Sequence, residues 1–314
     1  MKMDQVNNQT LNHDLPTLLR FLAITLIVAG HFGLFNYGGG GAALLMVIVG
    51  YNIATFKLPK VIKTGNIQPF AVMILKVAIP TIAYTIILHL IFGPLRYQEI
   101  FLISNYFSDR HPNGFAYWFI EVYIQIQLIL LLLLAIPIVK KTIQKHTKPT
   151  VYTFAILSVI LFIISESIWD NSELYRRLPW LMLWLVAFGI AARYASNIYE
   201  KCIISLIFIT ATTIFYDSIN WLLVISVTTL VFNPPLKLPN LIKKPIYFIA
   251  AGSLFIYLTH FQSKSVVELV IPSSPIINIL TALILGASIF YIYNNSINKI
   301  LFSKNKTITS EKTN

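Results

Sequence analysis

Cysteine and charge are the scarcest features of this chain, and each scarcity excludes a class of protein. Cys202 is the single cysteine, so no internal disulfide can form, which excludes a secreted domain stapled by disulfides. We expect Cys202 to be a buried small apolar residue. Charged residues make up only 11% of the chain, and the longest polar connection, 93–115, is too short for a sizeable water-soluble domain.

Apolar segments fill the rest of the chain, in which hydrophobic residues make up 56%. A helix needs about 20 apolar residues to cross a membrane, and stretches of that kind, with shorter ones beside glycine or proline, recur from end to end. We therefore predict an all-α polytopic membrane protein, a bundle of about ten transmembrane helices. The predicted spans are 16–36, 41–57, 68–92, 116–138, 150–168, 178–195, 201–216, 217–232, 246–265 and 275–297.

The distribution of lysine and arginine predicts the orientation, because cytoplasmic loops are rich in these residues. With ten spans and both termini in the cytoplasm, most of the 24 basic residues fall inside. Nine spans, with 201–232 as one bent element, would place the lysines of 237–244 outside, so the bias favours ten. The net charge of +12 then reflects topology and attraction to anionic membrane lipid, and it requires no nucleic acid as a partner.

Three regions follow from this topology. They are a polar cytoplasmic segment over 1–15, a single transmembrane domain over 16–297 and a basic cytoplasmic tail over 298–314. No small-residue cleavage site follows the first apolar run, so we predict an uncleaved anchor rather than a signal peptide.

Arg20 and His31 lie inside the first span, where a helix that faces lipid should carry neither. They are eleven residues apart, which is close to three helical turns, so both side chains point from one face at depths that differ by about 16 Å. Ionisable residues at membrane depth mark a functional interior. Snorkelling of Arg20 to the inner interface is the alternative.

Other polar residues divide by depth. Lys76 lies shallow on the predicted cytoplasmic side, where snorkelling is again the alternative, whereas His260 lies at a depth comparable to that of His31. This layout predicts a basic inner mouth for an anionic cytosolic ligand and an outer region suited to proton transfer. Glu121 and His89 lie near outer ends of spans. We expect a solvated or capping role for Glu121 and an interfacial position for His89.

A run of four glycines, Gly38–Gly41, is predicted to link the first two spans, and Gly50 and Tyr51 are predicted to close the second. Glycine lets the backbone approach a ligand closely, and its N–H groups can bind an oxyanion. We select Gly39 and Gly40 as candidates for that role. A flexible hairpin turn is the alternative.

Several of these motifs together resemble the bacterial integral-membrane acyltransferases of family three. The specific part is Arg20 followed by His31, the glycine run and Gly50-Tyr51. Tyr117-Trp118-Phe119-Ile120 with Gln125 is similar to a tryptophan-led helix of that family. The remaining similar segments are Arg177-Leu178-Pro179-Trp180 before Gly189, and Gly252-Ser253-Leu254-Phe255-Ile256-Tyr257-Leu258-Thr259-His260.

The chain departs from the family pattern at three places. Val49 stands where the family commonly has serine, and Tyr123 stands where many members have glutamate. Only Lys76 precedes Pro80, where the family usually has one or two arginines. These departures bear on the substrate class and on the supporting catalytic roles.

The resemblance implies an O-acyltransferase of a bacterial plasma membrane that moves an acyl group, most often acetyl, from cytosolic acyl-CoA to a hydroxyl of an extracytoplasmic glycan or cell-envelope polymer. Arg20, with Lys76, would hold the anionic donor without a metal. His31 would act as general base or accept the acyl group transiently, with His260 orienting or relaying.

Two other function classes remain open on the sequence. A multi-span transporter or flippase for a glycan or metabolite would use the same buried charges as a proton-coupled pathway. A sensor or structural membrane protein descended from an acyltransferase is compatible with the serine and glutamate that are replaced at Val49 and Tyr123.

Overall fold

The fold is helical throughout the part of the chain that this computed structural model describes, and no strand occurs there. The described residues are 14–34, 38–93, 96–107, 117–168, 177–269, 274–297 and 300. The predicted N-terminal segment and tail lie almost wholly outside them. The helices are α1 Asp14–His31, α2 Gly38–Asn52, α3 Leu58–Thr64, α4 Gln68–Phe92, α5 Tyr97–Ile100, α6 Trp118–Ala135, α7 Pro137–Lys145, α8 Thr147–Ile168, α9 Pro179–Tyr194, α10 Ile198–Tyr216, α11 Trp221–Phe232, α12 Asn240–Ala251, α13 Ser253–Glu268 and α14 Pro275–Asn295.

The helices define a polytopic helical membrane protein. Within the described residues, seven helical stretches are long and apolar enough to cross a membrane: α1, Gly40–Thr64, α4, α6, α8, α10 and α14. The pair formed by α12 and α13 also passes but is bent by 79°. The two shorter apolar helices are α9 and α11. Of these, α9 is buried along nearly its whole length, so its hydrophobicity is explained by a position in the core.

Two predicted spans differ from the helices that form. The predicted span over 246–265 is not one continuous helix, because the chain bends at Gly252 and starts a new helix there. The prediction that Gly50 and Tyr51 close the second span is wrong. A π-helical turn, Ile53–Lys57, joins α2 to α3, so the helical stretch continues to Thr64.

The predicted seventh and eighth spans form two separate helices, α10 and α11. Lys201 Nζ, near the start of α10, donates to the carbonyl oxygen of Phe232, at the end of α11, over 3.2 Å. The start of one helix therefore lies beside the end of the next, as in an antiparallel hairpin. This is the arrangement that ten crossings require of these two segments.

A chain of contacts gathers the lysine-rich connections at one end of the bundle, which we call the basic end. Gln144 of α7 donates to the carbonyl oxygen of Ile62 in α3, and Lys148 pairs with Glu200 at the start of α10. Asp14, at the start of α1, accepts hydrogen bonds from the Leu238 backbone N–H and the Tyr247 hydroxyl. It also pairs with Lys243 at 2.9 Å.

The closest helix packing is between α2 and α9 in the core. A Cβ atom on Gly50 would lie 1.9 Å from the Val186 carbonyl oxygen, and one on Gly189 would lie 1.9 Å from the Val47 carbonyl oxygen. The two backbones therefore touch, which only glycine permits at these positions. This contact places α2 and the π-helical turn firmly against the core.

Candidate functional site

The bend at Gly252 positions the first part of the site. It places Ser253, the first residue of α13, against α1, where Arg20 Nε donates to the Ser253 hydroxyl oxygen over 2.9 Å. A helix that begins inside the bundle leaves its first N–H groups without helical partners and has the positive end of its dipole there. The helix start and the guanidinium of Arg20 therefore both favour a negatively charged ligand.

A cavity of about 240 Å³ lies beside Arg20. Its polar lining consists of Arg20, Asn52, Lys57, Tyr123, Ser253 and Tyr257, and the remaining lining residues are apolar. Among the described residues no carboxylate lines the cavity, so Arg20 and Lys57 face it without an acidic side chain from that part of the chain to balance them. Such a site attracts an anion, because a charge in a poorly hydrated interior needs a partner.

Lys57 is a site residue that the sequence prediction missed, whereas the predicted site residue Lys76 lies outside the cavity. Lys76 is exposed and does not line the Arg20 cavity, although it lies near enough to Lys57 to interact electrostatically. The predicted second span, 41–57, ends at Lys57, which the sequence alone therefore places at a span end rather than in a cavity. The π-helical turn keeps it in a continuous helix, where Ile53, Phe56 and Lys57 all line the cavity.

His31 and His260 come together in the second part of the site. Their ring centroids are 5.0 Å apart, and Phe261 lies beside both rings. His31, the last residue of α1, is exposed, whereas His260 is only 1% exposed. Since Arg20 and His31 both contact α13, they lie on the same side of α1, as their spacing predicted.

Hydrogen bonding determines which nitrogen of His260 is basic. Nδ1 lies 2.7 Å from the carbonyl oxygen of Tyr257, which can only accept, so Nδ1 carries the proton. In the neutral ring Nε2 then has a free lone pair, and it has no hydrogen-bond partner among the described residues. A buried acceptor next to His31 is therefore available for a proton or a hydrogen-bond donor.

Tyr257 connects the two parts of the site. It lines the Arg20 cavity, and its ring centroid is 5.8 Å from that of His260. The ring of Phe119, which also lines the cavity, lies 5.4 Å from Tyr257. The anion-binding cavity and the histidine pair are therefore neighbours along α13 rather than separate sites.

The glycine run differs from its prediction. Gly38 to Gly41 form the first turn of α2 rather than a linking loop. A Cβ atom on Gly40 would lie 2.9 Å from the Asn220 amide nitrogen, and one on Gly41 would lie 2.6 Å from the Ala23 carbonyl oxygen. Close packing against α1 and α11 therefore explains glycine at both positions. The N–H groups of this first turn lack helical partners, so oxyanion binding at Gly39 and Gly40 stays a prediction.

The carboxylate of Glu121 holds a surface segment in place beside the site. It accepts hydrogen bonds from the backbone N–H and hydroxyl of Ser104 and from the backbone N–H of Asn105. Gln125 exchanges hydrogen bonds with the Asn105 amide. Of the two roles expected for Glu121, solvation is wrong because the carboxylate is buried, and capping agrees with its bonds to backbone N–H groups. His89 is buried against Glu99, with 2.8 Å between Nε2 and the carboxylate. Its position at the membrane interface stays a prediction.

Comparison of this chain with family models, curated proteins and solved structures finds no match. In the described part of the chain, no three His, Cys, Asp or Glu side chains gather as metal ligands would. The site is therefore defined by its own chemistry. It combines an anion-attracting cavity with a histidine pair whose buried member presents a free basic nitrogen.

Proposed function

We propose that this protein is a membrane-embedded O-acyltransferase. It moves an acyl group, most often acetyl, from cytosolic acyl-CoA to a hydroxyl of an extracytoplasmic glycan or cell-envelope polymer. The observation that carries this proposal is the double contact of α1 with α13, Arg20 with Ser253 at one depth and His31 with His260 at another. The resemblance to the family-three acyltransferases rests on the same residues.

The Arg20 cavity suits part of the donor. Acyl-CoA carries several phosphate charges, and guanidinium and ammonium groups bind phosphate through charge-assisted hydrogen bonds. The cavity of about 240 Å³ is at the small end for a ligand pocket, so it accommodates the pantetheine arm or a single phosphate rather than the whole molecule. Two further lysines, Lys60 and Lys76, lie near Lys57 and suit the remaining phosphates.

The histidine pair suits the transfer step. In direct transfer, the acceptor hydroxyl oxygen bonds to the thioester carbonyl carbon, the C–S bond breaks and CoA leaves as the thiolate. His31 takes the hydroxyl proton as general base. Nε2 of His260, which has no partner among the described residues, would orient the His31 ring by accepting a hydrogen bond from it during the reaction. In the alternative, His31 first accepts the acyl group itself and then passes it to the hydroxyl.

Turnover of labelled acetyl-CoA by the purified protein in lipid vesicles tests this function. We expect His31→Ala to lower CoA release by about 100-fold or more, since a general base contributes a factor of that order. Arg20→Gln should raise the apparent KM for acetyl-CoA. His13→Ala, in the predicted cytoplasmic segment, is the control and should keep full turnover. CoA release by His31→Ala at the control rate contradicts the catalytic assignment.

Transport is the second candidate function, and the bend at Gly252 is the observation that favours it. Interrupted helices whose ends face a cavity are typical of secondary transporters, and α13 begins at such a cavity. Uptake of a labelled glycan or metabolite into vesicles without any dependence on CoA would support transport. CoA release with label on an acceptor hydroxyl would support acyl transfer.

A further inference from the structure

A second and larger cavity, of about 540 Å³, lies between α6, α7 and α8. Leu130, Leu133, Leu134, Phe154 and Leu157 form much of its wall, and nearly all of the lining is apolar. It contacts the Arg20 cavity only at Ile53, which lines both. The size is typical of a pocket that encloses a ligand, and the lining favours a hydrocarbon.

The few polar groups in this second cavity are concentrated where α7 meets α8. They are Thr142, His146, Thr150 and Thr153. The hydroxyls of Thr142 and Thr150 donate to the carbonyl oxygens of Ile138 and His146, so they are already satisfied. His146 is exposed and is the group best placed to meet a polar ligand at the mouth of the cavity.

The surroundings of that mouth are strongly basic. The neighbouring helix α7 carries Lys140, Lys141 and Lys145, and the sequence contains no acidic residue between Glu121 and Glu166. Among the described residues, these three lysines have no acidic partner, unlike Lys148, which pairs with Glu200. Gln144 ties α7 to α3, so this charge lies at the basic end of the bundle.

We propose that the second cavity binds one anionic phospholipid, with an acyl chain inside and the phosphate against Lys145 and His146. A methylene group fills roughly 30 Å³, about the volume of a water molecule in the liquid. A cavity of about 540 Å³ therefore has room for the methylene groups of about one acyl chain. Basic residues beside a membrane attract anionic headgroups at about 1 kcal/mol each. The proposal goes beyond acyl transfer and does not depend on it.

Lipid retention by the purified full-length protein tests the chain-binding part. The protein is delipidated in detergent, incubated with phosphatidylglycerol, passed through a gel-filtration column and analysed for bound lipid. We expect about one phosphatidylglycerol per chain, and a loss of about tenfold in affinity in Leu157→Trp, which fills the cavity. Ile156→Trp is the matched control, because Ile156 is similarly exposed on α8, 52% against 57% for Leu157, but does not line the cavity.

A second pair of variants guards against a folding defect. Leu133→Trp fills the cavity from α6, and its neighbour Leu132→Trp, at a residue that does not line the cavity, is the control. Thermal unfolding identifies any variant that fails to fold. Equal phosphatidylglycerol retention by the filled and control variants of both pairs would overturn the proposal.

Charge selectivity tests the headgroup part. We expect phosphatidylglycerol to bind at least several-fold more tightly than phosphatidylcholine. Lys145→Gln should reduce that preference by about fivefold, because about 1 kcal/mol for one basic residue corresponds to a ratio of that size between the two affinities. Lys244→Gln removes an exposed lysine from α12 at the same end and should leave the preference unchanged. Equal binding of the two lipids by the unmodified protein contradicts the assignment of an anionic ligand.

Discussion

Within the part of the chain that the structure describes, Arg20 has no balancing carboxylate among the side chains that line its cavity. Tyr123 lines the same cavity and contributes a ring and a hydroxyl to its wall. A tyrosine fills the space but carries no charge at neutral pH. The guanidinium therefore remains available to a ligand, which strengthens the case for an anionic donor.

Substitution of Tyr123 tests whether that charge binds the donor. In Tyr123→Glu the new carboxylate should pair with Arg20 and weaken acetyl-CoA binding by about tenfold or more, since an ion pair in a poorly hydrated site competes directly with the ligand. Isothermal titration calorimetry measures the change. Tyr123→Phe keeps the ring and adds no charge, so it should bind acetyl-CoA nearly as the parent does; unaltered affinity in Tyr123→Glu would place the donor elsewhere.

Residues on one helix were easier to predict than their partners. The positions of Arg20 and His31 on one face of α1 follow from helical periodicity alone. Their contacts with Ser253 and His260 join residues more than two hundred positions apart, and only the packing of α13 on α1 brings them together. Depth alone points to His260. Ser253 lies in the same sequence segment but carries no charge that marks it as a partner of Arg20, and Lys57 resembles an ordinary lysine at a span end.

Glycine residues allow the closest helix packing, but the sequence does not indicate which glycines lie at a helix–helix contact. Gly50 and Gly189 are far apart in sequence but face each other across α2 and α9. The glycine run at Gly38–Gly41 has the composition of a flexible link, yet α2 begins there because glycine also permits close approach to α1 and α11. Local composition could not distinguish a turn from a helix–helix contact.

The bend at Gly252 was missed for a related reason. Apolar residues continue from the end of α12 into α13, and no proline lies at the break. A Cβ atom on Gly252 would lie 2.6 Å from the Ala287 Cα atom, so α14 packs directly against the bend. The break is therefore stabilised by a neighbouring helix that sequence periodicity does not reveal.

Replacement of Gly50 tests the packing of α2 on α9. In Gly50→Ala the added methyl group collides with the Val186 carbonyl oxygen. Because this oxygen belongs to the α9 backbone, the clash is relieved only by moving the helix, so we expect a loss of about 2–3 kcal/mol in unfolding free energy. Thermal or denaturant unfolding of the protein in detergent measures it. Gly93→Ala is the control, because nothing lies within 4 Å of a Cβ atom there; equal stability of the two variants would show that α2 and α9 can separate without cost.

The whole molecule has two ends of different character. Contacts that start at Asp14 and Lys243 and extend through Lys201 and Glu200 define the basic end. The end of α1 meets α13 at His31 and His260, and the start of α2 meets Asn220 at the start of α11. The alternation of helices between these ends agrees with the positive-inside bias. We therefore propose ten crossings with the basic end in the cytoplasm, and Arg20 facing the compartment that supplies acyl-CoA.

Cys202 provides a direct test of this orientation, because the prediction that it is buried is wrong. It is exposed near the start of α10, beside Lys201 at the basic end. A membrane-impermeant maleimide applied to intact cells should leave it unlabelled and should label it once the membrane is permeabilised. In the matched variant Cys202→Ser/Ser218→Cys, the thiol moves to the opposite end of α10, at an exposed position before α11, and should react in intact cells. Labelling of Cys202 in intact cells would show that the basic end faces outward, which contradicts the proposed orientation and the assignment of Arg20 to a cytosolic donor.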